Sequence, residues 1–427
     1  MNHALPTLKD ALPRELRGTE NARTHDRTVN ASQTDTRPCV AILVNSIAPS
    51  RFHLHTRLAT ALPQYRFLTP ILFEVNNIAW PLPPMDHFGG AVLGKGEKLP
   101  AKGSLGLAWK GFKKGFRLLQ LLRQERVRAI VINGYMYSEC WMTLAYAKLR
   151  GIPVFLAGDS NAATDITRKG LRGLIKKIVV GTFVRSCAGV MPVGSLGVHY
   201  FEKYGAKTHR SFVVTFETDP KLREPLSQER LSALRSRFGF DEGRRRILCS
   251  GRFVDVKRFH DAIDAFIAIA DQRPDLDLVM AGDGPDRAAL EARVPSHLRS
   301  RVIWLGMITD PDVVMDLYKG VHLLLHPSGY EPWGMVVQEA AAAGLPVIAT
   351  GVTGASVDII REGENGFIVP AGDVKAMSKA ILAITDNAKY PEFVRCAKLS
   401  TERWHESYES VRGFKAALDF AGVAPRT

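Results

Sequence analysis

The sequence predicts an α/β chain built from two doubly wound parallel-sheet domains that face each other across a cleft. Two observations carry this prediction and a third bounds it. Short apolar runs of strand length alternate with amphipathic helical patterns, the mark of βαβ units. The alternation stops at a polar, Pro-containing stretch near 217–230 and then starts again. The chain has 427 residues, and at ~100–200 residues per domain that is room for two such units, or three.

Composition narrows the class. Hydrophobic residues make up 46% and charged residues 23%, so disorder is excluded for most of the chain. No apolar run reaches the ~18 residues of a membrane-spanning helix. The opening MNHALPTLKDALPRELRG lacks the apolar core of a secretory leader. Five cysteines, Cys39, Cys140, Cys187, Cys249 and Cys396, are widely spaced without a CxxC pair. They predict neither a zinc ribbon nor a disulfide framework, and a reducing cytoplasm is the expected setting.

Taken in order, residues 1–38 are polar and aperiodic and predict a flexible tail. CVAILVNS (39–46) reads as a buried strand, followed by a helix through HLHTRLATAL. FLTPILFE, AIVING (129–134) and PVFLAG (153–158) are further strands, the last two separated by the helical SECWMTLAYAKLRG. GVMPVG (189–194) and SFVVTF (211–216) continue the series. Beyond the connector, RILCSG, DLVMAG, VIWLG, HLLLHP and PVIAT are strands with helices between them, and TERWHESYESVRGFKAALDF predicts one amphipathic helix packing back across the junction. The expected divisions are 1–38, 39–217, 218–400 and 401–427.

Charge is unevenly placed. Of the net +14, residues 39–210 carry 24 Lys/Arg against 8 Asp/Glu, and residues 211–427 carry 27 against 30. Such asymmetry suggests an anionic partner for the basic half. In 102–128, Trp109, Phe112, Phe116, Leu119 and Leu122 recur at helical spacing, with Lys110, Lys113, Lys114 and Arg117 largely on the other side. This is either a crossover helix with a solvated basic face or a helix that meets an anionic membrane surface. The cluster RKGLRGLIKK (168–177) adds to the second reading. Aromatics are not interleaved as a base-stacking platform requires, so nucleic acid is not an expected partner.

The chemistry gathers at strand ends of the second half, where doubly wound sheets bind ligands. In SGRFVDVKRF, Gly251 ends a strand and Arg252 and Lys257 follow, two cations able to hold a diphosphate and stabilise it as a leaving group. In AGDGPDRAAL, Gly282 and Gly284 permit a tight strand-to-helix turn, but the third glycine of a dinucleotide fingerprint is missing. In HPSGYEPWGMVVQEAAAAG, Gly334 opens a helix that Gly344 closes. Its first turn offers free N–H groups and a positive dipole end to phosphate. Glu339, inside that helix, suits two vicinal ribose hydroxyls, and Glu331 precedes it in the loop. Asp275-Leu-Asp277 and Asp310-Pro-Asp312 match a short acidic metal motif. The second reads better as a helix N-cap followed by Pro, and no metal is expected.

These residues resemble the donor-binding domain of retaining glycosyltransferase family 4, a GT-B fold. The resemblance rests on Glu331-Pro-Trp-Gly-Met-Val-Val-Gln-Glu339, Gly251-Arg252…Lys257, GLPVIAT and ENGFIVPAGD (364–373), and covers roughly 190 residues. In the first half, GDSN (158–161) and VGSLGVHYFEKYGA (193–206) are local matches. It implies an acceptor-side N-terminal domain and a nucleotide-sugar donor, UDP- or GDP-linked, bound as co-substrate without a further cofactor. Arg252 and Lys257 would bind the diphosphate and Glu339 the ribose. Glu331 would lie near the transferred sugar. The N–H groups of Gly334, Met335 and Val336 would hold phosphate and sugar, and 305–309 would flank the base. Departure of the phosphate would be stabilised by the two cations, with retention at the sugar.

The sequence departs from that family in three places. The loop after the first strand, NSIAPSRFHLH, carries Arg51, His53 and His55 where the family often has glycines. Asp159 stands where many members have His, able to hydrogen-bond a sugar hydroxyl, stabilise oxocarbenium charge, or cap a helix. Arg258 stands where Gly often follows the Lys. The readings left open are a transferase at the inner membrane face with a lipid-linked or polysaccharide acceptor, as in cell-envelope, exopolysaccharide or lipopolysaccharide synthesis, a related nucleotide-sugar epimerase or phosphorylase, and a non-catalytic sugar-nucleotide-binding protein.

Overall fold

A computed structural model describes residues 35–74, 85–97, 106–165 and 170–424. The expected tail therefore lies outside the described residues, apart from 35–38. The first parallel sheet contains β1 (Cys39–Leu43), β2 (Arg66–Ile71), β3 (Gly90–Val92), β4 (Val127–Asn133), β5 (Val154–Gly158) and β6 (Gly189–Pro192), in the order β3-β2-β1-β4-β5-β6. The second contains β7 (Arg245–Ser250), β8 (Leu276–Ala281), β9 (Val302–Gly306), β10 (Leu323–His326), β11 (Val347–Thr350) and β12 (Gly366–Val369), in the order β12-β11-β10-β7-β8-β9. Every pairing is parallel. Both sheets therefore have the same doubly wound order. It reverses between β1 and β4 in one and between β7 and β10 in the other, and such switch points open a crevice at the carboxyl ends of the strands.

The strand centres are apolar on both sides because helices cover both faces. In the second sheet, Ile247 and Cys249 point into one core with Phe266 and Met280, while Leu248 points into the opposite core with Val279 and Leu324. In the first sheet, Ile130 and Ile132 share a core with the helices Gly106–Gln124, Ser138–Leu149 and Leu171–Ser186. Val40 and Ile42 pack on the other side, against the helices Pro49–Ala61 and Ser410–Phe420.

Three expectations are corrected. SFVVTF is extended beside β6, with a bridge from Val190 to Ser211 and N–H bonds from Phe212 to the Val190 carbonyl (2.9 Å) and from Val214 to the Pro192 carbonyl (3.0 Å), but it forms no full strand of the sheet. TERWHESYESVRGFKAALDF is not one helix. Tyr390–Ser407 stays on the second sheet, with Trp404 stacked on Trp333 at 5.7 Å. The chain breaks at Tyr408, and Glu409 caps Ser410–Phe420 through the N–H groups of Val411 and Arg412. Only this last helix reaches the first sheet, with Phe414 beside Phe67.

The third correction concerns Gly106–Gln124. Leu118, Leu122 and also Lys114 are buried, whereas Phe112 and Phe116 are exposed. Gly111 and Gly115 decide the rotation. A methyl on either would overlap Ser138 Oγ or the Met142 sulfur, so this small face sits directly on the next helix. Lys114 is consequently drawn inside, where its Nζ donates to the Leu72 carbonyl (3.0 Å) and to Glu97 (2.5 Å) over the Phe73 ring.

The turn AGDGP proves to be structural. The Phe253 N–H donates to Asp283 O (2.9 Å), and Gly282 and Gly284 lie flush on the backbone of 251–253. A methyl on Gly284 would overlap the Phe253 carbonyl. Gly284→Ala is expected to cost about 1–3 kcal/mol through overpacking, read as a lower urea midpoint. An unchanged midpoint would show that the two loops are not held together.

Candidate active site at the facing sheet edges

At the β7/β10 switch point, three short segments meet. Phe253 is fully buried against Phe259 and Trp304 and anchors the loop after β7. Arg252, beside it, is exposed and forms no ion pair with any described residue. The carbonyl of Val256 accepts from Gly329 N–H (2.8 Å) and Ser328 Oγ (3.2 Å), which stitches this loop to the one after β10. Arg258 takes a left-handed conformation, φ 52°, which explains why glycine suits that position. It is held there by Asp261, at 2.6 Å.

Lys257 pairs directly with Glu331, 74 positions later in the chain. His326, at the end of β10, is buried and places Nε2 at 3.3 Å from the same carboxylate, in ion-pair range but outside hydrogen-bond geometry, while Nδ1 has no partner among the described residues. Burial alone would raise the Glu331 pKa. His326 and Lys257 outweigh it and bring the carboxyl down to about 2. One of the two expected phosphate cations is thus shared with a carboxylate, and Arg252 is the uncommitted one.

Gly334, at φ 94°, caps the helix Met335–Ala342 in a left-handed conformation, where a methyl would also meet Thr353. No acceptor among the described residues reaches the N–H groups of Met335 and Val336, as expected of a first helical turn. Glu339 is partly buried on this helix and accepts a hydrogen bond from Tyr318 Oη at 2.9 Å. Burial pushes its carboxyl up to about 7, with the Tyr318 bond acting in the opposite direction.

A folded pKa above the unfolded value gives a contribution that is full below about 4.5 and is lost as pH rises through about 7. Glu339→Gln is therefore expected to equal wild type near the acid end of that window. At the alkaline end it should exceed wild type by at most about 3 kcal/mol, in paired urea titrations. A difference that does not change with pH would contradict this environment.

On the opposing sheet edge, Asp159 follows β5 and is exposed. It caps no helix; Asn161 takes the local capping bond instead, accepting from Thr164 N–H at 2.8 Å. Asp159 lines a cavity with Arg51, His55 and Asn133. Arg51 is half-buried, and burial lowers its pKa against the opposing pull of Asp159. His53 does not line this cavity and lies 3.8 Å from Asp219 of the connector. His55 is buried, bonded to Thr69 (3.0 Å), and pushed down to about 3 by burial and by Arg51, so it is neutral.

The two edges are joined by Asn161. Its Nδ2 donates to the carbonyls of Glu331 (3.1 Å), Pro332 (2.7 Å) and Val352 (3.0 Å). Ser195 adds a second link to Asp358 through its N–H at 2.9 Å. Met307, after β9, is exposed at the same edge as Arg252. The site thus brings Lys257, Glu331 and Glu339 into defined pairings and leaves Arg252 and the helix start open.

His326, Tyr318 and Asn161 were not singled out from sequence. His326 had a local signal, a polar residue at the end of the apolar run HLLLHP, and Asn161 closes the GDSN match. The acidic pairs are structural: Asp310 caps the helix Pro311–Gly320 and Asp277 grips Arg244. No group of three metal-ligating side chains occurs among the described residues.

Residues 232–398 match the family model described as "Glycosyl transferases group 1". An N-acetyl-alpha-D-glucosaminyl L-malate synthase of Bacillus anthracis is 31% identical over 195 residues, 45% of this chain and 48% of that protein. A lipopolysaccharide core biosynthesis mannosyltransferase, LpsB of Rhizobium meliloti, is 34% identical over 157 residues, 35% and 44% of the two chains. The match thus spans about half the length of these relatives. In structure, HepE of Anabaena in complex with UDP and glucose superposes with a TM-score of 0.67 at 16% identity, covering 91% of this chain and all of that one. WaaG, a glycosyltransferase involved in lipopolysaccharide biosynthesis, gives 0.62 at 18%, with 90% and 100% covered. At that identity the likeness is one of fold, and the fold is GT-B.

Proposed function

From a GT-B chain whose residues 232–398 match the glycosyl transferases group 1 family, we propose a glycosyltransferase that moves a sugar from a UDP- or GDP-sugar to a lipid-linked or polysaccharide acceptor. It works with retention and without a metal, in cell-envelope glycan synthesis at the cytoplasmic membrane face. The observation that carries this reading is the β7/β10 edge, where a free Arg252, Lys257, an open helix start and Glu339 converge. The donor diphosphate lies on Arg252, Lys257 and the N–H groups of Gly334, Met335 and Val336. The ribose hydroxyls donate to the Glu339 oxygen that Tyr318 leaves free, and the 305–309 segment flanks the base.

As the sugar–phosphate bond breaks, charge accumulates on the phosphate oxygen facing the cations, which need not reorganise to stabilise it. Glu331 positions Lys257 and faces the sugar. Asp159 lies on the acceptor side, where its carboxylate stabilises positive charge at the sugar ring, and Arg51 orients the acceptor. His53, turned to Asp219, is left outside this scheme. Support for an envelope acceptor comes from the relative acting in lipopolysaccharide core synthesis.

The test is a thermal-shift panel with UDP, GDP, ADP and CMP on the full chain. A ligand specific to the folded state adds about 2.7 kcal/mol at ~100 times its Kd, a rise of a few degrees. One nucleotide should raise Tm well beyond the others. A flat panel would defeat the reading.

A further inference from the structure

The helix Leu171–Ser186 is apolar on two opposite faces. At ~100° per residue, Val180, Phe183 and Val184 point towards the sheet and are buried. Leu171, Leu174, Ile175 and Ile178 form a stripe on the other side and are 73%, 55%, 50% and 55% exposed. A crossover helix needs one apolar face, and a second implies a second apolar environment. Arg172 and Lys177 are exposed on the two flanks of the stripe. The helix Gly106–Gln124 repeats the arrangement, with Phe112 and Phe116 exposed beside Lys113 and Arg117.

Topology puts these features on one rim. Leu118, Leu122, Val180 and Phe183 belong to the same core, so both helices cover the same face of the first sheet. Both are crossovers between parallel strands and run antiparallel to them. The first half of Leu171–Ser186 and the first half and middle of Gly106–Gln124, which carry the exposed apolar residues, therefore lie towards the carboxyl edge of the sheet, on the side of the cleft.

We propose that this rim docks on an anionic lipid bilayer. The stripe 171–178 and the two phenylalanines enter the headgroup–acyl boundary, with Arg172, Lys177, Lys113 and Arg117 at headgroup level. Charge selects this occupant. Residues 39–210 carry 24 Lys/Arg against 8 Asp/Glu, so a second copy would set one positive rim against another, whereas an anionic surface attracts it. The docked orientation holds the cleft mouth over the lipid. The inference rests on the lipid-linked acceptor of the proposed function for its purpose, while the experiment reads binding without turnover.

The full chain is sedimented with vesicles of phosphatidylglycerol and phosphatidylcholine in equal parts, and with phosphatidylcholine alone. Salt-sensitive binding to the anionic vesicles is expected. It should fall at least about tenfold in Leu174→Glu/Ile178→Glu and in Arg172→Glu/Lys177→Glu, with Tm and the nucleotide-induced Tm rise unchanged. If the first variant melts early, the second carries the test alone. Wild type that fails to bind, or variants that bind as wild type does, overturn the proposal. So does light scattering that shows a lipid-free dimer dissolved by Leu174→Glu/Ile178→Glu, since the stripe would then be a self-interface. A protein that binds vesicles but no nucleotide would sink the donor reading and leave this one standing.

Discussion

Glu339→Ala should abolish the nucleotide-induced rise in Tm and weaken nucleotide binding about 100-fold. A carboxylate accepting from two vicinal hydroxyls makes two charge-assisted hydrogen bonds, each worth about 1.5–3 kcal/mol. Losing both removes about 3 kcal/mol or more, and 1.4 kcal/mol is tenfold. The site adds a pH signature. With the carboxyl pushed up to about 7 by burial, the ionised form that accepts both bonds is lost as pH falls through that value. Wild-type affinity should therefore drop on acidification from pH about 8 to about 6, and Glu339→Gln should be weak and flat across the range. Calorimetric titration at several pH values separates these outcomes. A wild-type affinity indifferent to both the mutation and the pH would remove Glu339 from the ribose site.

The second large effect divides the two cations. Arg252→Ala should lower kcat by about 100- to 1000-fold, the size seen when one preorganised donor to a developing oxyanion is removed. Stability should be almost unchanged, because Arg252 is exposed and forms no ion pair with a described residue. Lys257→Ala should cost a similar factor in kcat and also about 2 kcal/mol of stability. It leaves Glu331 half-enclosed with the His326 ring as its remaining polar neighbour on this side. A fully buried pair broken in this way loses ~3–5 kcal/mol, and residual solvent access reduces the figure. Matched kcat and urea-unfolding measurements test the split. Equal stability losses in both variants would show that Lys257 is not fixed by Glu331.

Most of the fold was legible from local pattern. Runs such as CVAIL, AIVIN and RILCS are buried on both faces of a sheet, and that requirement acts on each residue separately. Two elements escaped it. Gly90–Val92 is a three-residue edge strand, too short to show periodicity. SFVVTF has strand composition but meets β6 through only a bridge and two N–H bonds, short of a full strand. The helix 106–124 was found, yet its inward face was misassigned. Hydrophobicity favoured turning Phe112 and Phe116 inwards, whereas the close contact available to Gly111 and Gly115 won, and the buried lysine found a carbonyl, a carboxylate and a ring.

The candidate site divides in the same way. Gly251-Arg252, Lys257 and Gly334 each sit in a strand-end loop or at a helix start, and Glu339 one turn further along that helix, where the chemistry demanded of the backbone is local. The alternation, the basic first half and this strand-end pattern were therefore determined by the sequence alone. The pairing of Lys257 with Glu331, the hold of Tyr318 on Glu339 and the reach of Asn161 to a loop 170 residues away were decided by the tertiary structure. Each depends on which strand ends become neighbours when the sheet order reverses, and on which face a helix turns to its partner. Those are properties of the assembled sheets, and no periodicity along the chain encodes them.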